Sequence, residues 1–224
     1  MADILVLIHT LLPLIQLFDR LGAELLPGIR LQHILDEPLA EGIRQRGGLT
    51  SSDAARLWDH IKMAESIGAR AVLVTCSTLS PLLDHLRPLT ALPLVKIDEA
   101  MVVAAVQSGA HLGVLAINPA ALSAVQQRLE AQAQQMGKEI ACDGVLVQGA
   151  FEALLRGDAA THQRLVREAA LDLSSRVDGL VLAQASMSGI LDDIAESEWR
   201  SPVFASPRMA LGQVRHLIGD LGWG

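Results

Sequence analysis

The sequence predicts an α/β protein of two pseudo-symmetric lobes, each a parallel sheet flanked by helices, with a site in the cleft between the lobes. Three observations carry that expectation. Short continuous apolar runs alternate with segments of helical spacing, the pattern of strands covered on both faces. The order of segments then restarts near the middle of the chain. Leu5-Val6-Leu7 and Gly113-Val114-Leu115 stand 108 positions apart, as do Val72-Leu73-Val74-Thr75-Cys76 and Leu180-Val181-Leu182-Ala183-Gln184. Pro93 and Pro202, each ahead of a late strand, differ by 109. A nearly constant offset across most of the chain argues for two repeats of βα units. On that period residues 1–98 and 206–224 form lobe one, the chain crossing back at its end, and residues 99–205 form lobe two.

The elements follow in order. Ile4 to Ile8 is a buried strand, and Thr10 and Pro13 open a helix towards Arg20. Gly28 to Glu37 is extended, and Gly47-Gly48 breaks the chain. Thr50-Ser51-Ser52-Asp53 offers N-caps for a helix through Ile67, with Ala54, Leu57, Ile61 and Ala64 at helical spacing and Gly68 as its stop. Ala71 to Cys76 is the next strand, Pro81 starts a short helix, Leu92 to Ile97 is a strand and Glu99 to Gln107 a helix. The restart brings a strand at Leu112 to Ile117, a helix from Ala120 to about Met136 and an extended stretch from Glu139 to Gln148. Asp158 caps a helix to about Arg176, Leu180 to Ala183 and Val203 to Ala205 are strands, and Met209 to Leu217 closes as a helix.

The bulk properties narrow the function. With 224 residues, 50% hydrophobic, and a mean hydropathy of +0.35, the chain can bury a large core. Its net charge of −7, absence of basic runs and 3% aromatic content speak against nucleic acid and anionic membrane as partners. The apolar start lacks a positive n-region, because Asp3 stands there, and the run from Ile4 ends at His9-Thr10, too short to span a bilayer. A cytoplasmic protein is expected. Two cysteines make no disulfide scaffold.

Ligands of open α/β sheets bind beyond the carboxyl ends of the strands. Overlaying the repeats brings His9 and Thr10 together with Asn118, and Cys76, Ser77 and Thr78 together with Gln184, Ala185 and Ser186. Hydroxyls, amides and free N–H groups at helix starts suit a carboxylate. Cys76, at a strand end before a helix start that would favour its thiolate, is the candidate catalytic group. Cys142 reads as core. His9 reads equally as a base or as a hydrogen-bonded strand-end residue, and Ser77, Thr78 and Ser186 also suit helix capping. The other histidines have no metal-ligand spacing, so no metal is expected. Lys96 near a strand end has no phosphate-cradling glycine loop beside it to suggest pyridoxal phosphate, and no cofactor is expected.

The two-lobed plan with Thr75-Cys76-Ser77-Thr78 after a strand resembles the aspartate/glutamate racemase superfamily, which includes hydantoin racemases, maleate isomerases and arylmalonate decarboxylases. The resemblance implies a cofactor-independent enzyme acting at the carbon next to a carboxylate of a small substrate, and a homo-oligomer. Racemases of this kind resemble one another in giving one cysteine from each lobe, the first commonly in a Cys-Asn-Thr setting that Cys76-Ser77-Thr78 approximates. At the second position this chain has Gln184 between Ala183 and Ala185. A carboxamide does not ionise in the accessible range, so Gln184 cannot be a second base. The resemblance therefore leaves open a racemase or isomerase working through Cys76, a decarboxylase or cis–trans isomerase of the same superfamily, and a non-catalytic carboxylate-binding protein on that scaffold.

Overall fold

The computed structural model describes residues 3–220, so the last four positions of the expected return segment lie outside the described residues. The chain divides into two compact units, one ending at Asp98 and resuming at Pro207, the other Glu99–Ser206.

The first unit runs β1 (Ile4–His9), α1 (Pro13–Leu25), β2 (Arg30–Leu35), α2 (Glu37–Arg46), α3 (Ser51–Ser66), β3 (Ala71–Val74), α4 (Ser80–Leu86) and β4 (Leu94–Lys96). Its sheet is parallel throughout, in the order β2-β1-β3-β4. The two central strands are apolar on both faces because both faces are covered. Val6, Ile8, Val72 and Val74 pack with Leu39 and Ile43 of α2, Leu57 and Ile61 of α3 and Leu83 of α4. Leu5, Leu7 and Leu73 alternate with them and are equally buried.

The helices begin where the chain supplies caps. Thr50 and Asp53 form a capping box at α3, Asp53 also receiving two hydrogen bonds from Arg46 at 2.7 and 2.8 Å. Helix α1 continues to Leu25, beyond the expected Arg20, burying Phe18 and Leu21. Helix α2 occupies a stretch that the sequence pattern left unassigned. Asp36 caps it, with Pro38 in its first turn, and Gly47 ends it in the left-handed region at φ 74°.

The second unit runs α5 (Glu99–Ser108), β5 (His111–Ala116), α6 (Pro119–Gln135), β6 (Ala141–Leu146), α7 (Ala150–Leu155), α8 (Ala159–Ser174), β7 (Gly179–Leu182), α9 (Ile190–Asp193) and β8 (Val203–Ala205); α10 (Ser206–Asp220), from Pro207 on, belongs to the first unit. Its parallel sheet has the order β6-β5-β7-β8, the same plan as the first. Short helix α7 is an addition to the sequence expectation. The offset between matching strands is not constant. It is 107 for β1 and β5 (111 − 4), 111 for β2 and β6 (141 − 30), 108 for β3 and β7 (179 − 71) and 109 for β4 and β8 (203 − 94). His9 is therefore matched by Ala116 and Thr10 by Ile117, with Asn118 one position further on, a correction to the single-offset overlay.

Close approach of α8 to β5 requires Gly113. A Cβ there would sit 2.9 Å from Cγ of Leu173 and 3.2 Å from Cγ2 of Val177. Gly113→Ala is expected to cost about 1–3 kcal/mol through overpacking. Urea unfolding at constant m-value measures it, and an unchanged midpoint would mean that α8 gives way freely.

Candidate active site

In each sheet the connections leave the two central strands in opposite directions, and ligands of open α/β sheets bind at the carboxyl side of such a switch point. The first unit has it at β1 and β3. Cys76 lies two residues beyond Val74 on the same side of the chain and packs, half-buried, against the cluster of α2, α3 and α4. Its backbone is extended, and its carbonyl accepts the Leu79 N–H at 3.0 Å. A three-residue 3-10 turn, Ser77–Leu79, follows it in place of the expected helix start. Ser77 is half-buried and Thr78 exposed, and neither caps the turn or α4, whose caps are Cys76 and Leu79. Ser80 donates a 3.0 Å hydrogen bond to Asp98, both side chains being buried.

The opposite face of the same strand ends holds a polar chain. His9 is fully buried at the end of β1, and Thr10 beside it is 4% exposed. The Nδ1 of His9 lies 2.8 Å from the Thr75 hydroxyl, and its Nε2 lies 2.8 Å from Nδ1 of His33 on β2. His33 in turn reaches Asp19 of α1 through Nε2 at 3.0 Å. The rings of His9 and His33 are inclined by 19° with centroids 5.1 Å apart, so their hydrogen bond runs near both ring planes. Burial first, then the charge of His33, push His9 down to about 4 against the opposing pull of Asp19, which keeps it neutral at pH 7. Both nitrogens of His9 are thus engaged within the protein. Asp19 and His33 escaped the sequence reading.

In the second unit Gln184 occupies the place that Cys76 holds in the first. Each follows its strand by two residues in extended conformation and opens a 3-10 turn, Ala185–Met187 in this case. The Gln184 side chain folds onto the neighbouring strand end, where its Oε1 accepts the Ile117 N–H at 3.2 Å. That contact fixes the amide with Nε2 turned away as a donor, and this nitrogen is buried with no partner. The Ser186 hydroxyl, two residues on, is likewise buried and unpartnered, and Ala185 is buried. Asn118 caps α6 through Oδ1, which accepts the Ala121 N–H at 2.8 Å. Buried polar atoms are nearly always satisfied, so two orphaned donors in one loop are unusual, and both are free to donate to an acceptor.

Other candidates resolve plainly. Cys142 is half-buried on edge strand β6 rather than a core residue, and burial, with Glu130 and Asp143 adding to it, pushes its thiol up to about 11. Lys96 is paired with Asp84 at 2.5 Å. His162 is buried between α7 and α8, with Nδ1 on the Ala150 carbonyl at 3.0 Å. Among the described residues no group of three or more His, Cys, Asp or Glu side chains is placed to hold a metal ion, and no helix is long and apolar enough to cross a membrane.

Known proteins of similar sequence and fold agree with this plan. A family model described as Asp/Glu/Hydantoin racemase matches residues 21–214. No curated protein matches the sequence. Among solved structures, allantoin racemase from Klebsiella pneumoniae is similar at TM-score 0.72 and 16% identity, over 99% of this chain and 89% of that one. Aspartate racemase from Picrophilus torridus is similar at TM-score 0.72 and 16% identity, over 98% and 94%. Glutamate racemase from Francisella tularensis subsp. tularensis SCHU S4, solved in complex with D-glutamate, is similar at TM-score 0.67 and 14% identity, over 99% and 83%. At such identities the likeness establishes the fold.

Proposed function

The chain belongs to the Asp/Glu/hydantoin racemase family, and from that premise we propose that it is a cofactor-independent racemase or isomerase acting through one thiol, Cys76. Its substrate is a small carboxylate, and the reaction takes place at the carbon next to that carboxylate. Cys76 removes the proton from this carbon as thiolate, or returns one as thiol, and water delivers or takes up the proton on the opposite face. The negative charge that develops on the substrate's carboxylate oxygens is met by neutral donors. Gln184 Nε2 and Ser186 Oγ serve in this role, with Thr10, Ser77, Thr78, Asn118 and the Ala185 loop completing the binding set.

The observation that supports this reading is the occupancy of equivalent strand ends. A thiol stands at one, and at the other stands an amide held with its NH₂ as a buried, unpaired donor. Preorganised donors aimed at developing charge are a large source of rate enhancement. His9 enters through its hydrogen bonds to Thr75 and His33 rather than as a substrate contact.

The same observation favours a second reading. Gln184 gives no proton, so a symmetrical two-thiol racemisation is not available. A one-thiol protonation after decarboxylation, or addition of Cys76 to a double bond with cis–trans change, fits the same residues. Incubation of amino acids, hydantoins, maleate and malonates in D₂O, followed by NMR, separates these chemistries. Deuterium at the α-carbon with loss of optical rotation is the expected outcome. Carbon dioxide release or geometric change would move the protein to the second reading. Tight carboxylate binding with no turnover of any of them would leave a binding protein.

A further inference from the structure

The chain Asp19–His33–His9–Thr75 is the largest polar construction that the strand-end chemistry above does not use. Four groups, on α1, β2 and β1 and just beyond the end of β3, are linked end to end by contacts of 3.0, 2.8 and 2.8 Å, and Thr75 also reaches the Ile8 carbonyl at 3.0 Å. The fold does not need it. In the second unit the strand positions that match His9, His33 and Thr75 hold Ala116, Gly144 and Ala183. That sheet forms with the same order and the same parallel register, so two imidazoles were not required to build it. Burying His9 completely has a desolvation cost, which a purely structural position would avoid with an apolar residue.

Hydrogen counting, with His9 kept neutral by its burial, gives the array two self-consistent states. In one, Thr75 donates to His9 Nδ1, His9 Nε2–H donates to His33 Nδ1, and His33 Nε2–H donates to the Asp19 carboxylate. In the other, which holds one more proton, Thr75 donates to the Ile8 carbonyl and His9 Nδ1–H donates to Thr75. His33, now carrying N–H on both nitrogens, then donates to His9 Nε2 and to Asp19. With the added proton on His9 instead, N–H on both of its nitrogens would satisfy the same contacts, but burial opposes a charge on that ring. The charged groups acting on His9 are His33 and Asp19; Thr75, just beyond the end of β3, is neutral, and the Phe18 ring lies 5.7 Å from His9.

We propose that Asp19, His33, His9 and Thr75 act as a one-proton relay. It couples protonation of His33, near the surface of α1, to the His9 tautomer and to the direction of the Thr75 hydroxyl immediately before Cys76. Asp19 and His33 are then positioning residues of the thiol loop. The functional part rests on the reading of Cys76 given above; the coupling itself does not.

Long-range ¹H–¹⁵N spectra of histidine-labelled protein test the coupling directly. On acidification His33 is expected to become doubly protonated while His9 changes from the Nε2–H to the Nδ1–H tautomer at the same midpoint. Removing the carboxylate charge by Asp19→Asn, at a site 60% exposed and so without risk to folding, is expected to move that shared midpoint to lower pH. The alkylation rate of Cys76 should carry an inflection at the same pH, moving with it in Asp19→Asn and vanishing in Thr75→Val. A His9 tautomer that stays constant through the His33 titration would overturn the relay. A Cys76 rate profile indifferent to Asp19→Asn and Thr75→Val would overturn its link to the loop. Loss of the family chemistry in substrate assays would touch neither result.

Discussion

Replacing Cys76 by serine is expected to lower exchange of the substrate's α-proton by about 10³-fold or more. The hydroxyl keeps the shape of the side chain but is neither a useful base nor a soft nucleophile at neutral pH. Gln184 cannot substitute for it, and no second thiol stands in the matching loop. Because Cys76 is half-buried and its carbonyl, not its sulfur, closes the following turn, the variant should melt within a few degrees of the parent. Loss of exchange with an unchanged melting curve is the outcome that assigns chemistry to the thiol. Retention of exchange by the folded variant would sink the proposal. A second readout needs no substrate. With its thiol pushed up to about 11, Cys142 is roughly one part in 10⁴ thiolate at pH 7. One equivalent of iodoacetamide at that pH should therefore mark Cys76 alone, and equal labelling of both would remove the case for a reactive Cys76.

The strand-end position of Cys76 was legible in the sequence because its setting is local. A fully apolar run, Ala71–Val74, stops at small polar residues, and the same cadence returns at Gly179–Leu182. Caps at Thr50 and Asp158 were legible for the same reason, since each bonds a backbone N–H three residues on. Helix α2 was not, because Pro38 reads equally as the end of an extended stretch and as the first turn of a helix. What decides between them is the Asp36 cap and the burial of Leu39 and Ile43 against the sheet, and burial is a tertiary fact. The relay was illegible for a deeper reason. His33 sits opposite Leu7 in the β1–β2 register, which makes it the diagonal neighbour of His9 on one face. A slip of one residue would turn it to the other face. Nothing within 24 positions of sequence fixes that register.

Asp36→Ala is expected to cost about 2–3 kcal/mol of stability, from the loss of a helix cap and of a buried carboxylate's partners. Asp36 is 3% exposed and accepts from the Leu39 N–H at 3.1 Å, from Arg56 twice at 2.7 Å, and from His60 at 2.7 Å. It thereby joins the start of α2 to the side of α3. Arg56 is half exposed and can be rehydrated, which holds the estimate below that for a fully buried pair. Burial alone would raise the carboxyl's pKa. The hydrogen bonds from His60, Arg56 and the Leu39 N–H, with the charge of Arg56, outweigh it and hold the group below the ordinary carboxylate range. The sign of the pH dependence follows. A group with a depressed folded-state pKa contributes fully above its unfolded value of about 4, and the contribution is lost as pH falls through the lower folded value. Asp36→Asn keeps a competent cap but no charge, so its deficit against the parent should be largest at pH 7 and shrink below about pH 4. Urea unfolding at both pH values measures this, and an equal deficit at pH 7 and pH 3 would show that the charge contributes nothing. The consequence reaches the site. The Asp36 N–H donates to the His9 carbonyl at 2.8 Å, so the residue that anchors α2 and α3 also holds the end of β1, where the relay enters the strand-end loop.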